Sequence, residues 1–151
     1  MLLIYGTIYT MHKTFYASGF IYHFPSQKIL LQQLQTITSP WVLFEKEYTE
    51  NEQPEIIFKN TIRKFLGIEI AIIYPIYSYR NETTTKHRTL LYASIDHLQE
   101  FSQKNDYIFR WFSFKEVLRI PAIEQTKHDI IVGQRVIEAA ERRANGEHTF
   151  Q

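Results

Sequence analysis

The sequence predicts an α/β fold, helices laid on the faces of a mixed β-sheet, and three observations point to it. Runs rich in Tyr, Phe and Ile recur along the chain, and these residue types favour strands. Two other stretches carry the 3.6-residue apolar spacing of amphipathic helices. The order is several strands, a helix, several strands and a helix, so strands outnumber helices and a mixed sheet with helices laid on its faces is the expected architecture. The 151 residues suit a single domain over 1–145, with 146–151 as a frayed tail.

Taken in order, residues 1–10 (MLLIYGTIYT) and 14–24 (TFYASGFIYHF) both read as β. Pro25-Ser26 makes a turn, and 28–34 (KILLQQL) is the returning strand of a hairpin. Residues 35–40 form a loop, and 41–44 (WVLF) a short apolar strand; 45–53 (EKEYTENEQ) is acidic and suits a solvated loop. Pro54 can open a helix where its missing N–H costs nothing, and Gly67 can close it. Between them Phe58, Thr61, Ile62, Phe65 and Leu66 share one side at about 100° per residue, and Lys59, Arg63 and Lys64 lie mostly on the other. Residues 68–79 read as a strand in which Pro75 hints at an edge or bulge. A polar turn at 80–86 leads to a strand at 87–95, a short helix at 97–104 and a last strand at 107–114. The final helix starts near Thr126 or Lys127 and runs to about 142, with Ile130, Val132, Gly133, Val136, Ile137, Ala139 and Ala140 along its apolar side.

Composition removes several function classes. The net charge of +1 supplies no global field for general nucleic-acid binding or for an anionic membrane. With no cysteine, disulfides, thiolate catalysis and cysteine-ligated zinc are excluded. No apolar run approaches the ~18 residues of a membrane span. The N-terminus lacks the basic start of a signal peptide, so a cytoplasmic protein is expected. Histidines at 12, 23, 87, 97, 128 and 148 are never four apart, which gives no metal-ligand spacing. His128-Asp129 reads as serving the N-terminal turn of the last helix. Tyr74, Tyr77, Tyr79, Tyr92, Tyr107 and Trp111 could stack a base, although aromatics in strands more often form core.

One constellation is more specific. Reading back from Leu66-Gly67-Ile68, the run 60–68 is NTIRKFLGI, Glu52 stands eight positions before Asn60, and Lys46 six before Glu52. Upstream, WVLFEK (41–46) keeps Trp41 and Leu43. Downstream, RWFSFKEVLRI and TKHDIIVGQRVI supply a Trp-containing strand with a helical turn and a last helix. This pattern resembles the Nudix superfamily over roughly residues 14–140, whose box reads G-x5-E-x7-R-E-U-x-E-E-x-G-U. The resemblance implies an α/β/α Nudix-like sandwich. It also implies a loop–helix–loop whose glutamates hold divalent cations that activate water against a diphosphate.

Matched residue by residue, that box is degenerate. The glycine position holds Lys46, and the R-E-U-x-E-E positions hold Asn60, Thr61, Ile62, Arg63, Lys64 and Phe65; only Glu52 keeps its carboxylate. Hard cations need several oxygen ligands, so no metal or other cofactor is expected on this helix and no catalytic residue is assigned. The expectation is a catalytically impaired module binding a nucleotide, another phosphorylated small molecule or a protein, with Arg63, Lys64 and Glu52 as candidate ligand contacts. The alternative is an active diphosphate hydrolase holding Mg2+ through carboxylates outside the helix, drawn from Glu47, Glu50, Glu52, Asp96, Glu100 and Asp106. A homodimer remains open.

Overall fold

A computed structural model describes residues 13–36, 38–81, 85–104 and 106–146. Strand β1 (Thr14–His23) lies at the centre. One of its edges is filled along its whole length by β6 (Lys86–Ile95), which runs parallel to it, and β5 (Ile73–Asn81) pairs antiparallel with β6 on the far side. On β1's other edge, β2 (Lys28–Leu34) pairs antiparallel only near the hairpin, from His23↔Lys28 to Ile21↔Leu30. Beyond that point the two strands part. The N-terminal half of β1 pairs instead with β4 (Phe44–Tyr48), while Gln32 and Gln33 of β2 pair with β3 (Trp41–Val42). The segment 41–48 is thus wedged into the opening between β1 and β2. The outer edge of β2 is covered by β7 (Tyr107–Ser113).

Period-two alternation along these strands sends side chains to opposite faces. Ala17, Ile21, Leu30, Leu91 and Ala93 pack with Phe58 and Ile62 of α1 (Pro54–Leu66). Phe20, Tyr22, Ile29, Leu31, Leu90 and Tyr92 pack with Ile130 and Ile137 of α3 (Glu124–Ala144). A mixed sheet with a long helix on each face is the α/β/α sandwich expected. Helix α1 begins with Pro54 in its first turn and ends at Gly67, whose φ of 72° is the left-handed conformation that glycine adopts without Cβ strain. A short helix α2 (Phe114–Val117) follows β7 under a capping box made by Ser113 and Glu116.

Several boundaries differ from the sequence reading. Residues 45–48 are not loop but continue Phe44 into β4: the open edge of β1 needs a partner, and Phe44 and Tyr48 bracket polar residues as in a half-buried strand. The 41–44 strand breaks at Leu43, where pairing passes from β2 to β1. Residues 68–72 precede rather than belong to β5, and Pro75 does mark a register shift, between Pro75 and Tyr77. The helix expected at 97–104 is irregular backbone that turns the Gln99 carbonyl onto the Trp111 indole N–H at 2.8 Å and lays Phe101 against the core. Phe114 opens α2 instead of ending β7, and α3 starts two residues earlier than Thr126. The strand expected at 1–10 and most of the 146–151 tail lie outside the described residues.

Candidate functional site

The parting of β1 and β2 creates a cavity of about 510 Å³ beside the wedged segment and the first turn of α3. Tyr79 comes to it from β5, Lys86 and Arg88 from β6, Tyr16 from β1, Leu43 and Glu45 from the wedge, and Gln32 and Tyr107 from β2 and β7. Ile123, Gln125 and Thr126 contribute the α3 side. The Lys86 ammonium stands 5.4 Å from the centre of the Tyr16 ring, a cation–π distance. The volume and the pairing of aromatic faces with a cation suit an organic anion of nucleotide size.

Arg88 organises the polar floor. Its Nη1 donates to Asp129 Oδ2 at 3.0 Å and to the Tyr79 hydroxyl; its Nη2 donates to Ser18 Oγ at 2.9 Å and Glu45 Oε1 at 3.0 Å. Asp129 is fully buried, and its other oxygen accepts from the Tyr77 hydroxyl at 3.1 Å and Gln125 Nε2 at 2.8 Å. Burial pulls the guanidinium's pKa down, but Asp129 and then Glu45 outweigh it and leave it above the ordinary value. The Tyr77 phenol is pushed up by burial and by the Asp129 charge; burial likewise raises that of Tyr79. With both terminal nitrogens of Arg88 engaged, Lys86 is the cation in the cavity wall better placed to meet an incoming anion.

Asp129 therefore does not serve the N-terminal turn of α3 as expected; it ties that helix to the sheet through Arg88. The sequence did carry a signal for this. Thr126, Asp129, Ile130, Gly133 and Ile137 all lie on the buried side of α3, and a carboxylate on that stripe demands a buried partner.

The box positions have other occupations. Lys46 is exposed on β4 opposite Ala17. Glu52 Oε1 accepts from the Thr49 N–H at 2.8 Å, at the entry to α1. Asn60 accepts from Arg63 at 3.1 Å, and Arg63 forms a two-pronged ion pair with Glu69. The buried Thr61 hydroxyl donates back to the Ile57 carbonyl at 2.8 Å. Lys64 is exposed, and Phe65 packs edge-on against Phe44 and Tyr107. Arg63, Lys64 and Glu52 do not line the cavity. Glu52 and Arg63 also stand at opposite ends of α1, roughly 15 Å apart at the helical rise. Among the described residues no three Asp, Glu or His side chains converge as a metal ion would need.

No family model matches the sequence, and no curated protein does. Solved structures do. The NUDIX domain of Shewanella oneidensis NrtR, in complex with ADP ribose, superposes with a TM-score of 0.69 at 13% identity over 88% of this chain and 94% of that one. The chain has the Nudix fold. A MutT structure from work on the Aliivibrio salmonicida and Vibrio cholerae proteins gives a Nudix-fold match at TM-score 0.66, with 11% identity over 83% and 98% of the two chains. A Caenorhabditis elegans Ap4A hydrolase binary complex gives 0.64 at 11% identity, over 82% and 98%. Among the described residues no helix is long and apolar enough to cross a membrane.

Proposed function

We propose that this Nudix-fold chain is a binding module without magnesium-dependent hydrolase activity, whose ligand is a nucleotide or similar phosphorylated small molecule held in the cavity between the wedge and α3. The observation that carries the reading is the pairing of a roomy, aromatic- and lysine-lined cavity with a box helix bearing Thr61, Lys64 and Phe65 in place of carboxylates. Two fold neighbours carry compounds of this class in their names, ADP ribose as the bound partner of one and Ap4A in the name of the other, a hydrolase. Tyr16 and Tyr79 give the cavity wall aromatic surface, and Lys86 offers a phosphate a mobile point charge. Arg63, Lys64 and Glu52 have no part in this version of the site. The alternative hydrolase, with metal on Glu47, Glu50, Glu52, Asp96, Glu100 or Asp106, gains no support from how those residues are placed.

Calorimetric titration with AMP, ADP-ribose and diadenosine tetraphosphate, in EDTA, tests the reading. Saturable binding weakened roughly tenfold by Lys86→Ala is expected, since a charge-assisted hydrogen bond contributes about 1.5–3 kcal/mol. Absence of binding by all three, or binding indifferent to Lys86→Ala, counts against it.

A further inference from the structure

Helix α3 runs along the sheet in the direction of β1 and β6, which puts its first turn at the cavity. Asp129 is bonded to Arg88, Gly133 lies against the Phe20 ring, and Glu141 Oε2 accepts from the Tyr22 hydroxyl at 3.0 Å. Strands β1 and β6 are parallel and in register, with Tyr16 opposite Arg88, Phe20 opposite Tyr92 and Tyr22 opposite Ser94. Going back from the Arg88–Asp129 pair, Lys86 lies two strand residues away, about 6.6 Å, and Thr126 three helical residues away, about 4.5 Å. Lys86 shares with Arg88 the sheet face that α3 covers, so Lys86 and Thr126 stand on the same side of that pair, and both line the cavity.

The start of α3 brings hydrogen-bond donors to this place. Its cap residue, Ile123, supplies no side-chain acceptor, and the Lys127 N–H is the first to bond, to the Ile123 carbonyl at 3.2 Å. Among the described residues the N–H groups of Glu124, Gln125 and Thr126 therefore have no partner. Thr126 adds a side chain turned the same way. It is 6% exposed and lies on the buried side of α3. Its hydroxyl bonds to no described residue, unlike that of Thr61, which donates one turn back at 2.8 Å. Nor is its Oγ1 sealed, since the buried side-chain atoms with neither partner nor accessible surface are Gln32 Oε1 and His87 Nε2. The Thr126 oxygen thus opens on the cavity that the residue lines. Three carboxylates lie nearby: Asp129 and Glu45 are matched by Arg88, and Glu124 of the first turn is exposed.

We infer that the first turn of α3 is the phosphate subsite of the cavity. The Gln125 and Thr126 N–H groups and the Thr126 hydroxyl meet the phosphate from one side, and the Lys86 ammonium meets it from the other. This rests on the reading of the cavity as a nucleotide site and adds which group of the ligand lies where. A helix start aims N–H donors and the positive end of its dipole at an anion with several acceptor oxygens. An ammonium alone attracts such a group as a point charge and does not orient it.

The test titrates AMP, in EDTA, into wild type, Thr126→Val, Thr126→Ser and Ile123→Asp, with thermal unfolding of each. Thr126→Val keeps the side-chain shape and loses the donor; it should bind AMP about tenfold more weakly, while Thr126→Ser stays within about threefold. Ile123 is 56% exposed, so Ile123→Asp perturbs no core. It supplies the cap, and should raise the Tm while weakening AMP binding about tenfold, because its carboxylate takes the N–H groups and repels the phosphate. Thr126→Val or Ile123→Asp binding AMP within about twofold of wild type, or Thr126→Ser binding as weakly as Thr126→Val, overturns the subsite. So does tighter binding by Ile123→Asp, which a base amine at this end would give. Each of these leaves standing the reading of the cavity, which Lys86→Ala tests. Failure of AMP to bind the wild type overturns that reading and the subsite with it.

Discussion

Asp129 and Arg88 carry opposite charges into a part of the molecule where an unmatched charge is costly, so removing either one alone should be worse than removing both. Asp129 is fully buried and the Arg88 side chain is 16% exposed. Arg88→Ala would leave the Asp129 carboxylate, among the described residues, with the Tyr77 hydroxyl, the Gln125 amide and the exposed ring of His128, 3.7 Å away. Breaking a buried pair from one side typically costs about 3–5 kcal/mol, whereas replacing both partners by apolar groups of similar volume can be near neutral. Urea unfolding should show that loss for Arg88→Ala and a smaller one for Arg88→Met combined with Asp129→Leu. A single variant that loses under ~1 kcal/mol would mean that the pair contributes little to docking α3. Nothing local in the sequence marks Arg88 as a buried partner, because its burial depends on β5, β1 and α3 meeting around it.

At the scale of the element, α1 shows why its bounds could be read and its neighbourhood could not. Pro54 and Gly67 act through their own backbone geometry, so they punctuate the helix wherever it packs. The strand β4 just before it has no such local signature: Glu45, Lys46 and Glu47 are exposed, and only pairing with β1 makes a strand of them. The 97–104 stretch misleads in the opposite way, its Leu98 and Phe101 spaced like a helix turn while Gln99 is held by Trp111. The same packing decides how α1 would accept carboxylates at its box positions. Lys64→Glu, exposed, should change stability by no more than ~0.5 kcal/mol. Thr61→Glu places a carboxylate in a nearly closed site, and Phe65→Glu replaces a ring packed on Phe44 and Tyr107; each should cost about 2 kcal/mol or more. Thermal unfolding of the three single variants checks the order. If Phe65→Glu proved as stable as Lys64→Glu, the helix would not be seated on the sheet through that ring.

For the molecule as a whole, the Nudix fold supplies a scaffold and the side chains on it decide the chemistry. The scaffold was the most legible part of the sequence, because alternation, helical spacing and the Pro54–Gly67 frame all point the same way. The cavity was the least legible, since its walls come from seven separate strands and the start of α3. Magnesium-borne charge stabilisation accounts for several kcal/mol of a diphosphate-hydrolysis barrier, and each ~1.4 kcal/mol is tenfold in rate. The described residues bring together no carboxylate set to hold the ion, and Lys46 and Lys64 add positive charge at the box positions. On the proposed reading, the purified protein turns over nucleoside triphosphates, ADP-ribose and diadenosine tetraphosphate at the buffer background rate, with or without magnesium or manganese. EDTA should leave its affinity for AMP unchanged, because the proposed contacts are Lys86 and tyrosine side chains of the cavity wall. Metal-dependent turnover that is abolished by EDTA, and lost in Glu52→Gln, would show that a cation site assembles on this fold after all and that the chain is a hydrolase.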